Sequence, residues 1–349
     1  MTVAEKQIKK FSVKLGWDLL WERYGIATVV LIAWVIAFFF VPNFRNPDNM
    51  LNVIRQSAFV GCAAVGMTIA IISGTFDLSV GSTLALSAYL GLMVVSTTES
   101  VLLAILVTVL VAMLIGLING LLITKVGISA FITTLGMSFI VRGLSYIISK
   151  GGEPVRYNAK AFIWWGNGSF LRIPIPFIIF IICALAGWFI LKKTPFGRYV
   201  FSIGTNEKAA KVAGVPVQRT IIFIFIIVGL FTGISAFLIG SRLYSAGPGL
   251  EPGFELSVIA AVVLGGTRLA GGRGSILGTI AACLLYATMG NILNLLHADA
   301  FVQRVAVGMI LLLALSIEGI RQRIFEHSSR RITTLEIEPN SNEYQGGQA

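Results

Sequence analysis

Two glycine-punctuated stretches carry much of the polar chemistry of this chain. In Ser73-Gly-Thr-Phe-Asp77-Leu-Ser79-Val-Gly81-Ser82 a carboxylate stands between two long apolar runs. There it must be solvated, cap the helix that starts near Ser79, or be paired. The amides of Asn119, Asn291 and Asn294 interrupt apolar helices, and each has the chemistry to hydrogen-bond a passing hydroxyl or to cross-link neighbouring helices. The chain has no GxxxxGK[ST] phosphate loop, no HExxH and no GxSxG. Its nearest glycine-rich candidate, Gly271-Gly-Arg-Gly-Ser275, has no lysine and no preceding strand, so ATP hydrolysis by this chain alone is not expected. Cys62, Cys183 and Cys283 lie in apolar segments without paired spacing, and His297 and His327 are too few for a metal cluster. No catalytic residue, metal or cofactor is expected in the chain itself.

The elements that position these residues follow from composition. Of 349 residues, 56% are hydrophobic and only 12% charged, roughly half the charge fraction of an ordinary soluble domain. Several runs of about 17 to 25 residues lack charge, enough to cross a bilayer core. The expected class is an all-α integral membrane protein whose main solvent is lipid. The formal charge of +11 would point to nucleic acid in a soluble protein. Here the cations cluster at segment ends, as the positive-inside rule requires, so no nucleic-acid partner is expected.

Ten crossings are predicted: Tyr24–Val41, Leu51–Ile72, Ser79–Ser96, Val101–Ile123, Ile128–Ser149, Pro174–Leu191, Thr220–Gly240, Glu255–Gly266, Ser275–Leu296 and Phe301–Glu318. The first is read as a retained anchor because no small-residue cleavage site follows it. Glu255–Gly266 is short and reads as a possible broken helix buried among its neighbours. The basic N-terminal segment 1–23, the loop 192–219 and the tail 320–349 are expected on the cytoplasmic side, with residues 24–319 forming the transmembrane domain. The tail is acidic and polar enough to be disordered. Trp164 and Trp165, in the opposite loop, suit an aromatic belt better than a stacking site for a ligand ring. The middles of the segments read as nearly charge-free, which argues against proton or sodium coupling and for a cargo recognised elsewhere.

There is an internal echo. Gly74-Thr75 and Gly81-Ser82 superpose on Gly266-Thr267 and Gly274-Ser275 if one residue is inserted. Paired glycine-interrupted segments in two halves point to a transporter built from repeats, with its pathway between them. Asp77, Ser79, Asn119, Phe131, Asn291 and Asn294 are the candidates for that pathway. Gly116 with Gly120 and Gly229 with Gly233 form GxxxG pairs, read chiefly as helix packing.

The loop Pro195–Pro216 is the most specific local feature. Thr205 or Asn206 caps a short helix, Glu207 complements its dipole, Lys208 and the small residues Ala209, Ala210 and Ala213 follow, and Gly214 before Pro216 ends it. A helix this short is marginal alone and must dock on something. Its small side chains suit a protein groove better than lipid.

Gly66-Met-Thr through Ser82, Phe131-Ile-Thr-Thr-Leu-Gly-Met137, Phe196-Gly-Arg-Tyr199 through Gly214, and Glu255 through Gly265-Gly-Thr267 with Gly271-Gly-Arg-Gly-Ser275 together resemble the permeases of ribose-type monosaccharide ABC importers. The resemblance runs over about residues 50 to 320 in order and spacing. It implies a type II importer fold of ten helices, a second permease copy or homologous permease, an ABC-type ATPase holding ATP and Mg, and a periplasmic sugar-binding protein. It also implies the bacterial inner membrane, and that Asn206–Gly214 is the coupling helix seated on the ATPase. Phe76 replaces the isoleucine common in the family, and the tail after Arg331 is longer than usual. No residue selects the sugar. An ion-coupled carrier is the alternative reading.

Overall fold

The computed structural model describes residues 26–299 together with 301–303, 305, 306, 308, 309, 312 and 316. The segment 1–23, the start of the first predicted span, much of Phe301–Glu318 and the tail 320–349 lie outside the described residues. Helices dominate. They are α1 (Ile26–Phe40), α2 (Pro47–Ile72), α3 (Val80–Thr98), α4 (Val101–Leu121), α5 (Ala130–Ile148), α6 (Lys160–Asn167), α7 (Ile175–Lys193), α8 (Pro195–Thr205), α9 (Glu207–Val212), α10 (Val217–Leu243), α11 (Phe254–Leu264) and α12 (Ile276–Leu295). A π-turn, Leu122–Val126, extends α4.

Local chemistry sets the ends. Asn46 accepts from the Asp48 amide ahead of α2, Ser100 from Leu103 ahead of α4, and Ser129 from Ile132 ahead of α5. Each supplies an acceptor to an amide that the helix cannot satisfy itself. Among the described residues seven helices are long and apolar enough to cross a membrane, while Ile26–Phe40 and Phe254–Leu264 are shorter. The predicted crossing over Glu255–Gly266 is thus an 11-residue helix.

Helix α2 is the hub, packed by α10, α12, α7 and α11. Its most apolar window is 78% buried, against 28% for α4 and α5, so α4 and α5 present their apolar faces outward. At the α4–α10 contact both GxxxG pairs meet the opposite backbone: a Cβ on Gly120 would lie 2.9 Å from the Ile222 Cα, and one on Gly233 would lie 2.7 Å from the Val109 Cα. Gly116 and Gly229 abut the carbonyls of Phe225 and Ala112 in the same way. Side chains are absent where the helices touch, which allows this close approach.

Between α5 and α7 lie β1 (Val155–Arg156), which pairs antiparallel with β4 (Ser245–Ala246) beyond α10, and the antiparallel pair β2 (Ser169–Phe170) and β3 (Ile173–Pro174). Helix α6 rests on the end of α10. There Asn167 donates to the Arg242 carbonyl at 2.9 Å, and the Trp165 ring stands edge-on to Phe237 at 6.1 Å.

Candidate translocation pathway and coupling surface

The echoed Gly-Thr steps have one geometry. Helix α2 ends with Gly74 at φ +82°, its amide bonded to the Ile71 carbonyl and that of Thr75 to Ala70. Helix α11 ends with Gly266 at φ +83°, its amide bonded to Val263 and that of Thr267 to Val262. These are matching glycine-closed C-caps, in which left-handed backbone lets two amides satisfy the last free carbonyls.

The two breaks also touch. The Gly272 amide donates to the Ile72 carbonyl at 2.8 Å, and a Cβ on Gly271 would lie 2.9 Å from the Gly74 nitrogen. Between them sits Gly204 of α8. A Cβ there would overlap the Ile72 carbonyl oxygen and lie 2.6 Å from the Gly272 nitrogen. One residue of the α8–α9 corner is therefore wedged against both breaks.

Beside the first break lies a buried polar cluster. The Asp77 carboxylate accepts from the Ser79 amide at 2.8 Å and the Ser79 hydroxyl at 2.6 Å. Asn119 donates to Ser79 Oγ at 3.0 Å and to Asp77 at 3.4 Å, while its own Oδ1 has no partner. Burial pushes the Asp77 carboxyl up from the usual carboxylate range, and the bonds from Ser79 and Asn119 act the other way. Asp77 therefore serves the backbone that starts α3, with no cation as partner among the described residues. Phe131, half exposed at the start of α5, faces Phe76 edge-on with centroids 6.2 Å apart.

The other two amides are taken up by helix contacts. Asn291 exchanges both hydrogen bonds with Asn49, at 2.9 and 2.7 Å, joining α12 to α2. Asn294 accepts from Gln303 at 2.8 Å. Of the two uses open to them, cross-linking is the one the geometry displays.

The α8–α9 corner is built by caps. Thr194 accepts from Gly197 to start α8, and Asn206 accepts from Ala209 at 3.0 Å to start α9, with Glu207 in its first turn and Gly214 at φ +81° beyond it. Asn206, Glu207, Lys208, Ala209, Val212, Ala213 and Gly214 are exposed. Ala210 is not. It is 4% exposed and packs with Ile203, Val217, Ile221 and Phe225 on the inner face of α9, at the floor of the corner's groove, so the exposed surface of α9 is made by its other residues. Val212, 91% exposed, is the apolar residue that α9 presents outward. A groove of about 390 Å³ runs along the corner between Phe201, Asn206, Ala209 and Ala213. A cleft of about 610 Å³ on the other side is lined by Gly74, Thr75, Glu207, Lys211 and Arg219, among others.

The reading of charge-free segment middles passed over two guanidiniums, Arg55 in α2 and Arg142 in α5, and a third, Arg242 in the last turn of α10, lies just beyond the predicted span Thr220–Gly240. Arg142 donates to the Pro248 carbonyl, and Arg242 lies over the Phe59 ring with 4.8 Å to its centroid. An ionisable group inside an apolar run is a functional signal by default, and it was available at Arg55 and Arg142. What sequence could not supply is their company, which comes from distant elements.

The model of the family described as "branched-chain amino acid transport system / permease component" matches residues 49–315. The chain belongs to this permease family. The permease is 41% identical over 315 residues to the ribose import permease protein of Bacillus subtilis (strain 168), covering 90% of this chain and 98% of that one. It is 40% identical over 304 residues to the L-arabinose transport system permease protein of Escherichia coli (strain K12), covering 87% and 92%. With the ribose import permease protein of the same Escherichia coli strain the identity is 36% over 326 residues, covering 92% and 100%. No solved structure matches the permease. With its apolar helices, this membership makes it a multi-pass protein of the inner membrane and a transport component.

Proposed function

We propose that this chain is the translocating subunit of a binding-protein-dependent ABC importer, passing a small sugar inward by alternating access driven by ATP hydrolysis in a partner subunit. The sugar is a ribose-like pentose, a hexose or a related polyol. The observation that carries the reading is the full-length similarity to two permeases named for pentoses, at 41% and 40% identity. The basic loop 192–219 argues for placing α8 and α9 in the cytoplasm, together with both chain ends.

In this reading ATP and Mg belong to the ATPase, which receives the exposed face of α9. A second permease copy or a homologue completes the membrane unit, and a periplasmic sugar-binding protein delivers cargo. The wedge at Gly204 supports the transmission step, because movement of the corner is passed by backbone contact to both breaks.

The test is uptake by proteoliposomes holding the permease, its ATPase and its binding protein. ATP-dependent accumulation of labelled D-ribose or L-arabinose is expected. Uptake by the permease alone, driven by a proton or sodium gradient, would overturn the reading in favour of a secondary carrier.

A further inference from the structure

Five elements bring polar side chains to one end of the bundle. Arg55 comes from α2, Arg242 from α10, Glu251 from the loop 244–253, Ser257 from α11 and Tyr286 from α12. The Arg242 guanidinium lies over Phe59, one turn after Arg55 on α2, and the Glu251 carbonyl accepts from the Phe254 amide at the start of α11, one turn before Ser257. Arg242 is within electrostatic reach of both Arg55 and Glu251, and Glu251 of Tyr286. The Tyr286 hydroxyl bonds Ser257 Oγ at 2.8 Å. Stacking on Phe59 fixes the plane of the Arg242 guanidinium.

Asn49 and Asn291 pair where α2 begins and α12 ends. Arg55 is eight residues into α2 from Pro47 and Tyr286 is nine residues before Leu295, so both lie roughly 12 to 14 Å from that end at the helical rise. Arg242, in the last turn of α10, and Glu251, exposed in the loop after it, carry the polar groups from this depth out to the rim.

The hydrogen-bonding groups here are unused. Among the described residues Arg55 Nε is buried without a partner, and the side chains of Arg55, Arg242 and Glu251 make no hydrogen bond. Glu251 is nonetheless held in left-handed backbone at φ +45°, a conformation that costs a non-glycine residue and persists where the surroundings impose it. Donors and an acceptor stand together, with a hydroxyl pair beside them. An anion would meet Glu251 and a cation would meet two guanidiniums. A neutral polyol, whose every hydroxyl both donates and accepts, satisfies both kinds of group.

We propose that Arg55, Arg242 and Glu251, flanked by the Ser257–Tyr286 pair, are where the permease itself hydrogen-bonds the hydroxyls of the passing sugar. The assignment rests on the sugar-import reading and gives it a place.

The experiment uses the complete complex in proteoliposomes, with D-ribose, L-arabinose and their monodeoxy analogues at concentrations that keep the binding protein loaded. Arg55→Gln and Glu251→Gln should each slow uptake of the parent sugar about tenfold or more, the effect of losing a hydrogen bond to a charged group. The native complex should carry at least one monodeoxy analogue several-fold more slowly than its parent, and Arg55→Gln should abolish that difference. Should Arg55→Gln fail to insert, Arg55→Lys, which keeps the charge and loses the fork, carries the same comparison with Glu251→Gln. Native uptake by both variants would overturn the assignment, as would an equal loss for parent and every analogue, the mark of a structural or docking role. If the native complex carries no sugar at all, the import reading itself fails and this assignment falls with it.

Discussion

Asn119 reaches from α4 to donate to the Ser79 hydroxyl at 3.0 Å and towards the Asp77 carboxylate at 3.4 Å, closing a buried polar cluster. Asp77 is 3% exposed and Asn119 fully buried, and the cluster ties α4 to the first break.

Replacing Asp77 separates its two duties. Asp77→Asn keeps an acceptor for the Ser79 amide, and near-normal amounts in the membrane are expected with slower uptake. Asp77→Ala removes the acceptor and should lower thermal stability by about 1 kcal/mol, as for a lost helix cap. Membrane abundance, melting temperature and sugar uptake measured together check this, and full uptake by Asp77→Asn would leave the residue a capping role only.

The two faces of α9 predict opposite phenotypes. Val212→Asp changes a side chain that is 91% exposed and should leave insertion and melting temperature unchanged. Uptake and the ATP hydrolysis stimulated by loaded binding protein should both fall in the reconstituted complex. Ala210→Trp instead forces an indole among Ile203, Val217 and Phe225, where overpacking costs roughly 1 to 3 kcal/mol, and should lower stability as well. If Val212→Asp couples normally, α9 is not the docking surface.

At the α4–α10 contact, Gly229→Val drives a branched side chain into the Ala112 carbonyl. The backbones cannot part without breaking the paired glycine contacts, so loss of folded protein is expected, read as aggregation in detergent. Gly136→Ala, on α5 with nothing within 4 Å, is the matched control and should behave as native.

Purified alone in detergent, the permease should hydrolyse no ATP, because it has no phosphate loop with a lysine. Turnover by contaminant-free permease would contradict the division of labour between subunits.

Much of the frame was legible because bilayer physics writes it plainly. The predicted span Ser79–Ser96 corresponds to Val80–Thr98, and Thr220–Gly240 to Val217–Leu243, since apolar length decides both. The Gly-Thr echo was readable as well, glycine being the residue that closes both helices in left-handed backbone. Helix α8 was missed, as Thr194 and Pro195 start it where the apolar pattern had already ended. The inward turn of Ala210 was also illegible, because three alanines do not tell which side of a six-residue helix meets the core. Arg55 lies far in sequence from Arg242 and Glu251, and the three gain meaning only when packing seats Arg242 on Phe59, one turn from Arg55.

The wedge at Gly204 bears on efficiency. One backbone position abuts the carbonyl that ends α2 and the amide that precedes α12, with no side chain between to give or lag. Displacement there is felt by both halves at once, so neither hinge has a stroke of its own. In the proposed import cycle such gearing would leave little room for idle cycling: a push from the partner ATPase on the corner would turn both breaks in step, and slip would require the Ile72–Gly272 bond to break first.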